Sequence, residues 1–195
     1  TVLDSDGAQH TVGAESNETL AVRPGAVYTS NGRATFGLPA GRYTIFAGRG
    51  FEYGIDSRKI SLKAGQTANV KLSIAREVPT AGWVSCDTPV HTLTHSGHGD
   101  ASIAERLIVL AAEGIELPIA TDHNIHIDYN PLAKKMGVRK YFTPVIGNEV
   151  TTKTGHFNVF PVQAGAAIPN FKSTDWKETL KGIYATPGVK VAILN

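Results

Sequence analysis

Histidines and carboxylates concentrate in one stretch of the sequence. Six of the seven histidines lie between His91 and His156, mostly beside Asp, Glu, Gly or Asn where an apolar run ends. The stretches that carry them are Asp87-Thr-Pro-Val-His91, His95-Ser-Gly-His98-Gly-Asp100, Ala120-Thr-Asp-His-Asn124, Gly147-Asn-Glu149 and Gly155-His156. Neutral imidazoles and carboxylates are the ligands that zinc, manganese and iron bind in proteins. The pattern therefore predicts a metal site built from the ends of several strands.

His123 and Glu149 are the strongest candidate ligands. His123 follows Asp122 directly after an apolar run. If this run is a strand of a parallel barrel, the imidazole of His123 can point into the open end of that barrel. Asp122 would then orient a neighbouring side chain or fix the backbone. Glu149 ends a similar apolar run, so its carboxylate either faces solvent or bridges cations. His98 is a further candidate, although Gly97-His98-Gly99-Asp100 also fits a flexible lead into a helix.

Other polar residues of this stretch favour simpler roles. His95 and His126 are weaker candidates, since a histidine beside a loop is often only solvated or capping. Asp128 and Tyr129 fit ordinary loop residues. Cys86 fits a small buried side chain, because no motif in the sequence activates its thiol.

Composition excludes several function classes. Charged residues make up 18% of the chain and the formal net charge is +2. The sequence therefore has no cluster of basic residues of the kind that indicates nucleic-acid binding. No apolar run approaches the roughly 20 residues of a membrane span. A single cysteine excludes an internal disulfide.

The first 78 residues predict a small antiparallel β-sandwich. Polar and apolar residues alternate in short runs separated by glycine-containing turns, which is typical of strands with one buried face. The predicted strands include 33–38, 42–47, 58–62 and 67–74. This region carries no cluster of candidate catalytic residues.

The pattern changes to alternating strands and helices over residues 81–195, after a break near Glu77-Val-Pro-Thr-Ala-Gly82. Ser102 and Glu105 form a capping-box pattern for a helix that Gly114 ends. The predicted strands are 83–86, 117–121, 143–149 and 189–194, with 157–160 pairing beside the third; the predicted helices are 102–113, 131–136 and 174–184. Such alternation favours a parallel sheet or barrel, with its site at the carboxyl ends of the strands.

Four motifs in this second region resemble the opening motifs of the polymerase and histidinol phosphatase (PHP) family of metal-dependent phosphoesterases. They are Asp87 to His91, Gly97 to Ser102, Ala120 to Asn124 and Gly147 to Val150, and the resemblance covers about residues 81–195. The N-terminal region is more loosely similar to carboxypeptidase regulatory-like sandwiches. Together these resemblances imply a β-sandwich followed by the first part of a distorted (βα)7 barrel.

The resemblance also implies a site. Two or three zinc, manganese or iron ions would lie at the carboxyl ends of the strands, and Glu149 would bridge two of them. Asp87 would support the ligands from behind. The implied ligands are His91, His98, His123, Glu149 and His156.

Two features depart from the family pattern. The family opens on Asp-x-His-x-His, but Pro89 stands where the first histidine belongs, so one ion would lose a ligand unless another group such as His95 substitutes. The sequence also reaches Asn195 before the later family motifs. We therefore expect the C-terminal half of the barrel to come from a separate fragment or a second chain.

The function expected from the resemblance is hydrolysis of a small-molecule or polymeric phosphoester. Clustered cations would polarise a phosphoryl oxygen and activate a water for in-line attack. The alternative is a catalytically impaired module that binds metal or ligand and uses the sandwich for attachment. Pro89 favours this alternative, whereas the five remaining family ligands favour the enzyme.

Overall fold

The computed structural model describes residues 1–195 and contains four small sheets and four α-helices. The strands are β1 (Val2–Leu3), β2 (Leu20–Arg23), β3 (Ala26–Thr29), β4 (Gly41–Ala47), β5 (Asp56–Leu62), β6 (Cys86–Val90), β7 (Leu117–Ala120), β8 (Val145–Ile146), β9 (Asn148–Thr151), β10 (His156–Phe160) and β11 (Val191–Leu194). The helices are α1 (Leu93–Ser96), α2 (Ile103–Ala112), α3 (Asn130–Lys135) and α4 (Trp176–Ala185), with a 3-10 helix at Arg139–Tyr141. None of these helices is long and apolar enough to cross a membrane.

The N-terminal region forms two separate antiparallel sheets. One has the strand order β1-β4-β5, and the other is the β2–β3 hairpin. Arg23 pairs with Ala26, so Pro24 and Gly25 alone make the turn. Gly25 has φ +73°, and proline followed by a glycine with positive φ suits a type II turn.

The expected sandwich is wrong, because two of its predicted strands do not form. Residues 33–38 make only the bridge between Gly13 and Gly37, and residues 67–74 contain no strand. Alternating polarity gives a segment one apolar face. It does not place a partner strand within hydrogen-bonding distance, and these two segments lack such a partner.

The first half of the second region follows the predicted strand and helix order. Strands β6, β7 and β8 form a parallel sheet. The capping box is present at α2: Ser102 accepts a hydrogen bond from the Glu105 backbone N–H, and the Glu105 side chain accepts one from the Ser102 backbone. Val90 and Ala120 of the sheet share a buried core with Leu107 and Leu110 of α2.

The expected first part of a (βα)7 barrel is also wrong: the sheets do not close, and the last three strands are antiparallel in the order β11-β10-β9. The chain reverses in the four residues between Thr151 and His156. A parallel partner requires a crossover of a dozen or more residues, so this loop permits only a hairpin.

The ends and the burial of several helices and strands differ from the predictions. The first strand of this region begins at Cys86 rather than at Trp83, which is 81% exposed. Asp175 rather than Thr174 caps α4. The last strand was expected to be buried, but Val191, Ile193 and Leu194 are exposed because β11 lies at the sheet edge.

Gly147 joins the parallel and antiparallel sheets. Its N–H donates to the Ala120 carbonyl of β7, and a Cβ at this position would lie 2.7 Å from Ile119 Cγ2 and 2.9 Å from the Val159 carbonyl of β10. Only glycine fits between two strands that approach this closely. Glu149 follows two residues later and pairs in parallel with His123, so this joint brings two predicted ligands together.

The two regions of the chain are in contact through α2. The helix packs against the β2–β3 hairpin. Arg23 of β2 lies 2.9 Å from the Glu105 carboxylate, and Arg49 Nε donates a hydrogen bond to the Ala111 carbonyl. The β2–β3 hairpin therefore covers one side of α2.

Candidate metal centre

Five segments of the chain, three loops and two strands, place the predicted ligands. His91 follows β6, and Thr92 then caps α1, with its side chain accepting a hydrogen bond from the His95 N–H. His123 follows β7. Glu149 lies within β9 and His156 starts β10, while His98 lies between α1 and α2.

Asn124 fixes the chain directly after His123. It has φ +53°, a left-handed conformation that asparagine tolerates better than most residues. Its N–H donates to the Glu149 carbonyl, and its side-chain oxygen accepts from the Thr151 N–H at 3.0 Å. The loop that carries His123 is thereby tied to β9.

Three imidazoles surround the carboxylate of Glu149, which is 1% exposed. His91 Nε2 lies 3.0 Å from Oε2. On the other oxygen, Oε1, His156 Nδ1 lies at 2.7 Å and His123 Nδ1 at 3.4 Å. Asn195 Nδ2 also donates to Oε2 at 3.4 Å. A buried carboxylate requires such partners, because burying an unpaired charge costs several kcal/mol.

His98 joins this group through His123. Their Nε2 atoms lie 2.6 Å apart, so one of the two must carry the proton between them. The His91 and His123 rings stack with centroids 4.7 Å apart and an interplanar angle of 12°. The structure thus brings together the whole predicted ligand set: His91, His98, His123, Glu149 and His156.

Part of this set has the spacing of a metal site. One ligand atom each from His91, His123 and Glu149 lies within 4.8 Å of the others. This buried cluster could hold a metal ion, with two nitrogen donors and one oxygen donor.

The surroundings favour the neutral form of His123. Burial lowers the pKa of His123, the Glu149 carboxylate opposes that shift, and the neighbouring imidazoles add to it. A neutral imidazole has a free lone pair, which a metal ion requires. The same packing that buries His123 therefore prepares it as a ligand.

Asp122 is fully buried, but its side chain does not contact the Glu149 carboxylate through a hydrogen bond. Its Oδ1 accepts hydrogen bonds from the Thr92 N–H at 2.8 Å, the Thr92 hydroxyl at 2.9 Å and the Ser96 hydroxyl at 2.6 Å. Its Oδ2 accepts one from the Tyr129 hydroxyl at 2.8 Å. These donors fix the loop after β7 to the loop after β6.

Ser96 connects Asp122 to the ligands. Its hydroxyl lies 3.5 Å from His91 Nδ1 and accepts a hydrogen bond from the His123 N–H at 3.4 Å. The orienting role of Asp122 stays a prediction, and Ser96 is the residue through which Asp122 would set the direction of the two rings.

The other predicted supporting residues lie apart from the imidazoles. No hydrogen bond or ion pair joins the half-buried Asp87 carboxylate to a histidine; burial raises its pKa, and Arg106 and His91 oppose the shift. No hydrogen bond or ion pair joins the His95 side chain to the imidazoles around Glu149. Pro89 is exposed within β6.

Several residues of the site differ from the sequence expectations. Tyr129 lies in the loop before α3, as expected, but it is buried; burial and the charge of Asp122 raise the pKa of its hydroxyl, which therefore keeps its proton. Thr151 contacts His123 Nδ1. No pattern in the sequence indicates either residue. Thr92 and Ser96 are different, because a threonine before a short helical turn is a recognisable N-cap signal. The expectation that Cys86 is buried is wrong, because the residue is exposed. Desolvation and the neighbouring Asp87 raise the pKa of its thiol, which favours the unreactive protonated form.

His126 lies on a separate contact. Its Nδ1 approaches the Ala166 carbonyl at 3.2 Å, and its Nε2 accepts a hydrogen bond from Asn148 Nδ2 at 3.2 Å. Burial lowers its pKa. Both ring nitrogens are therefore engaged away from Glu149, in keeping with the weaker candidacy of this histidine.

No protein-family model, no curated protein and no solved structure matches this chain.

Proposed function

We propose that this protein is a metal-dependent hydrolase that acts on phosphoester bonds. The observation that supports the proposal most is the convergence of His91, His123 and His156 on the buried carboxylate of Glu149. This donor set suits zinc, manganese or iron. A divalent ion bound by these residues would polarise a phosphoryl oxygen and lower the pKa of a water molecule.

In this proposal, some residues of the site bind the ions and others orient the ligand side chains. Glu149 presents Oε2 to His91 and Oε1 to His123 and His156, so its two oxygens can serve two ions. His98, which reaches His123, would extend the donor set on the open side. We propose two or three ions on this basis, with Asp122 and Ser96 holding the rings in place.

The order of the motifs gives a second support. Asp87 to His91, Ala120 to Asn124 and Gly147 to Val150 follow the order of the PHP family. We propose a relation to that family on the motifs and the ligand cluster alone, because the barrel that the resemblance implied is wrong.

Pro89 favours a second candidate function, an impaired module that binds metal or ligand without hydrolysis. The proline side chain offers no lone pair to a metal, and no hydrogen bond or ion pair joins the side chain of His95, the candidate substitute, to the ligand cluster. Such a module would retain the ion but lack turnover, with the N-terminal sheets mediating attachment.

A hydrolysis screen distinguishes the two candidates. Protein loaded in turn with zinc, manganese or iron is assayed on phosphomonoesters and phosphodiesters, with a chelator as the blank. His123→Ala removes an imidazole of the cluster, and His10→Ala removes one beside Tyr43 in the N-terminal region. The enzyme proposal predicts turnover that His123→Ala abolishes and His10→Ala retains. Stoichiometric metal without turnover on any substrate would favour the binding module.

A further inference from the structure

The buried side chain of Asn158, beside the candidate metal centre, has an oxygen with no hydrogen-bond partner. It is 2% exposed, and its Oδ1 is buried without a hydrogen-bond partner. No hydrogen bond joins the rest of its side chain to another residue. Buried amide oxygens almost always accept a hydrogen bond or contact a cation, because an unpaired one costs about 1–3 kcal/mol. The chain itself therefore supplies no partner for the Asn158 side-chain oxygen.

The strand register places Asn158 on the face of the candidate site. Asn158 of β10 pairs directly with Glu149 of β9. Directly opposed residues of antiparallel strands project to the same face, with Cβ atoms about 5 Å apart. His156 lies two residues earlier and shares that face. The opposite face carries Phe157 and Val159, which pack in the core with α4.

The chemistry of the pair favours a cation as the missing partner. The Glu149 carboxylate and the Asn158 amide oxygen are both acceptors, and both are buried. Glu149 takes its donors from histidines and Asn195, whereas the Asn158 oxygen has no donor. A divalent cation satisfies two neighbouring oxygen acceptors at once. Amide and carboxylate oxygens suit harder ions such as manganese, whereas imidazoles suit zinc.

We propose that Asn158 supplies its Oδ1 as a further oxygen ligand to the cation held by Glu149 and thereby raises the preference of the site for manganese over zinc. The inference rests on the metal centre of the proposed function, but it does not require hydrolysis. It adds an amide oxygen on β10 to the histidines and the carboxylate.

Asn148 provides a matched control. It is also a buried asparagine with an unpaired Oδ1, and it lies beside Glu149 in β9. It pairs with Val159, so it projects to the opposite face, where its Nδ2 donates to His126. Loss of a buried amide is thus common to both sites, whereas contact with the cation belongs only to Asn158.

The test measures dissociation constants for manganese and for zinc on each preparation of the 195-residue protein. Asn158→Leu keeps the branched shape and the number of heavy atoms of the side chain and removes the oxygen. We expect it to weaken manganese binding by roughly tenfold or more relative to zinc, the range typical of losing a supporting group. The ratio of the two constants is insensitive to partial unfolding, because both metals are measured on the same sample.

Two further variants keep the inference falsifiable. Asn158→Asp retains an oxygen, so it should preserve or increase the manganese preference, and Asn148→Leu should leave it unchanged. An unchanged ratio in Asn158→Leu, a shift toward zinc in Asn158→Asp, or an equal shift in Asn148→Leu would overturn the inference while leaving the metal centre in place. Failure of the unmodified protein to bind either metal would overturn both the inference and the proposed function.

Discussion

The polar clusters around Asp122 and Glu149 lie at neighbouring strand ends, and each centres on a buried carboxylate. The partners of Asp122 are hydroxyls and a backbone N–H, which can only donate to it. The partners of Glu149 are chiefly imidazoles, which can offer either a proton or a lone pair. One cluster is committed to the fold, whereas the other can exchange its protons for a metal ion.

This difference explains how one edge of the sheet serves two purposes. Hydrogen bonds to Asp122 hold the loops after β6 and β7 together without any bound ion. Burial lowers the pKa of His123, so this imidazole beside Glu149 loses its proton more readily. A ligand cluster of this kind gives up some stability in the metal-free protein and regains it when the ion binds.

The largest effect on stability is expected at Asp122. Asp122→Ala should lower the free energy of unfolding by about 3 kcal/mol or more, because the hydroxyls of Thr92, Ser96 and Tyr129 lose their buried acceptor. Chemical denaturation of the metal-free protein measures the change. A loss below about 1 kcal/mol would mean that water replaces the carboxylate and that the cluster is not structural.

Glu149 should show the opposite pattern. Glu149→Gln should weaken metal affinity by roughly a hundredfold, since the carboxylate is the one anionic donor of the cluster. It should cost the metal-free protein less than half of the stability lost in Asp122→Ala, because the amide removes a buried charge while keeping polar contacts. Equal destabilisation by the two variants, with metal affinity retained, would erase the distinction between the clusters.

Tyr129 offers a smaller version of the first experiment. Tyr129→Phe removes only the hydroxyl that donates to Asp122 Oδ2, so we expect a loss of about 1–2 kcal/mol in unfolding free energy. Metal affinity, measured by competition with a chromogenic chelator, should change less than twofold. A clear loss of metal binding would show that the two clusters are coupled.

The smallest expected effect is a gain at Pro89. Pro89→His should raise metal occupancy or phosphatase rate by a few-fold at matched metal loading, because, under the proposed relation to the PHP family, it supplies the histidine that the family motif has at this position. Proline also restricts φ and biases Thr88 toward extended geometry, so circular dichroism must first establish that β6 is intact. No gain in a folded variant would mean that another residue already fills this position.

The sequence predicted this site better than it predicted the fold. The ends of apolar runs located His123 and Glu149, and the structure places both beside His91. The sandwich and the barrel failed because alternation and strand–helix order specify faces, not partners. The predicted strands ended at Glu149 and resumed at Phe157, and this short gap was already too small for the crossover that a parallel partner requires. Tyr129 and Asn158 depend on register and packing, which no local pattern encodes.

Metal content is the most direct test of the central claim that His91, His123 and Glu149 form a metal centre. Protein purified without chelator is analysed by elemental mass spectrometry, then stripped and reconstituted, beside His123→Ala and the control His10→Ala. We predict stoichiometric zinc, manganese or iron in the unmodified protein and in the His10→Ala control, and a large loss of binding in His123→Ala. Metal-free protein that fails to reconstitute, or unchanged binding in His123→Ala, would contradict the account.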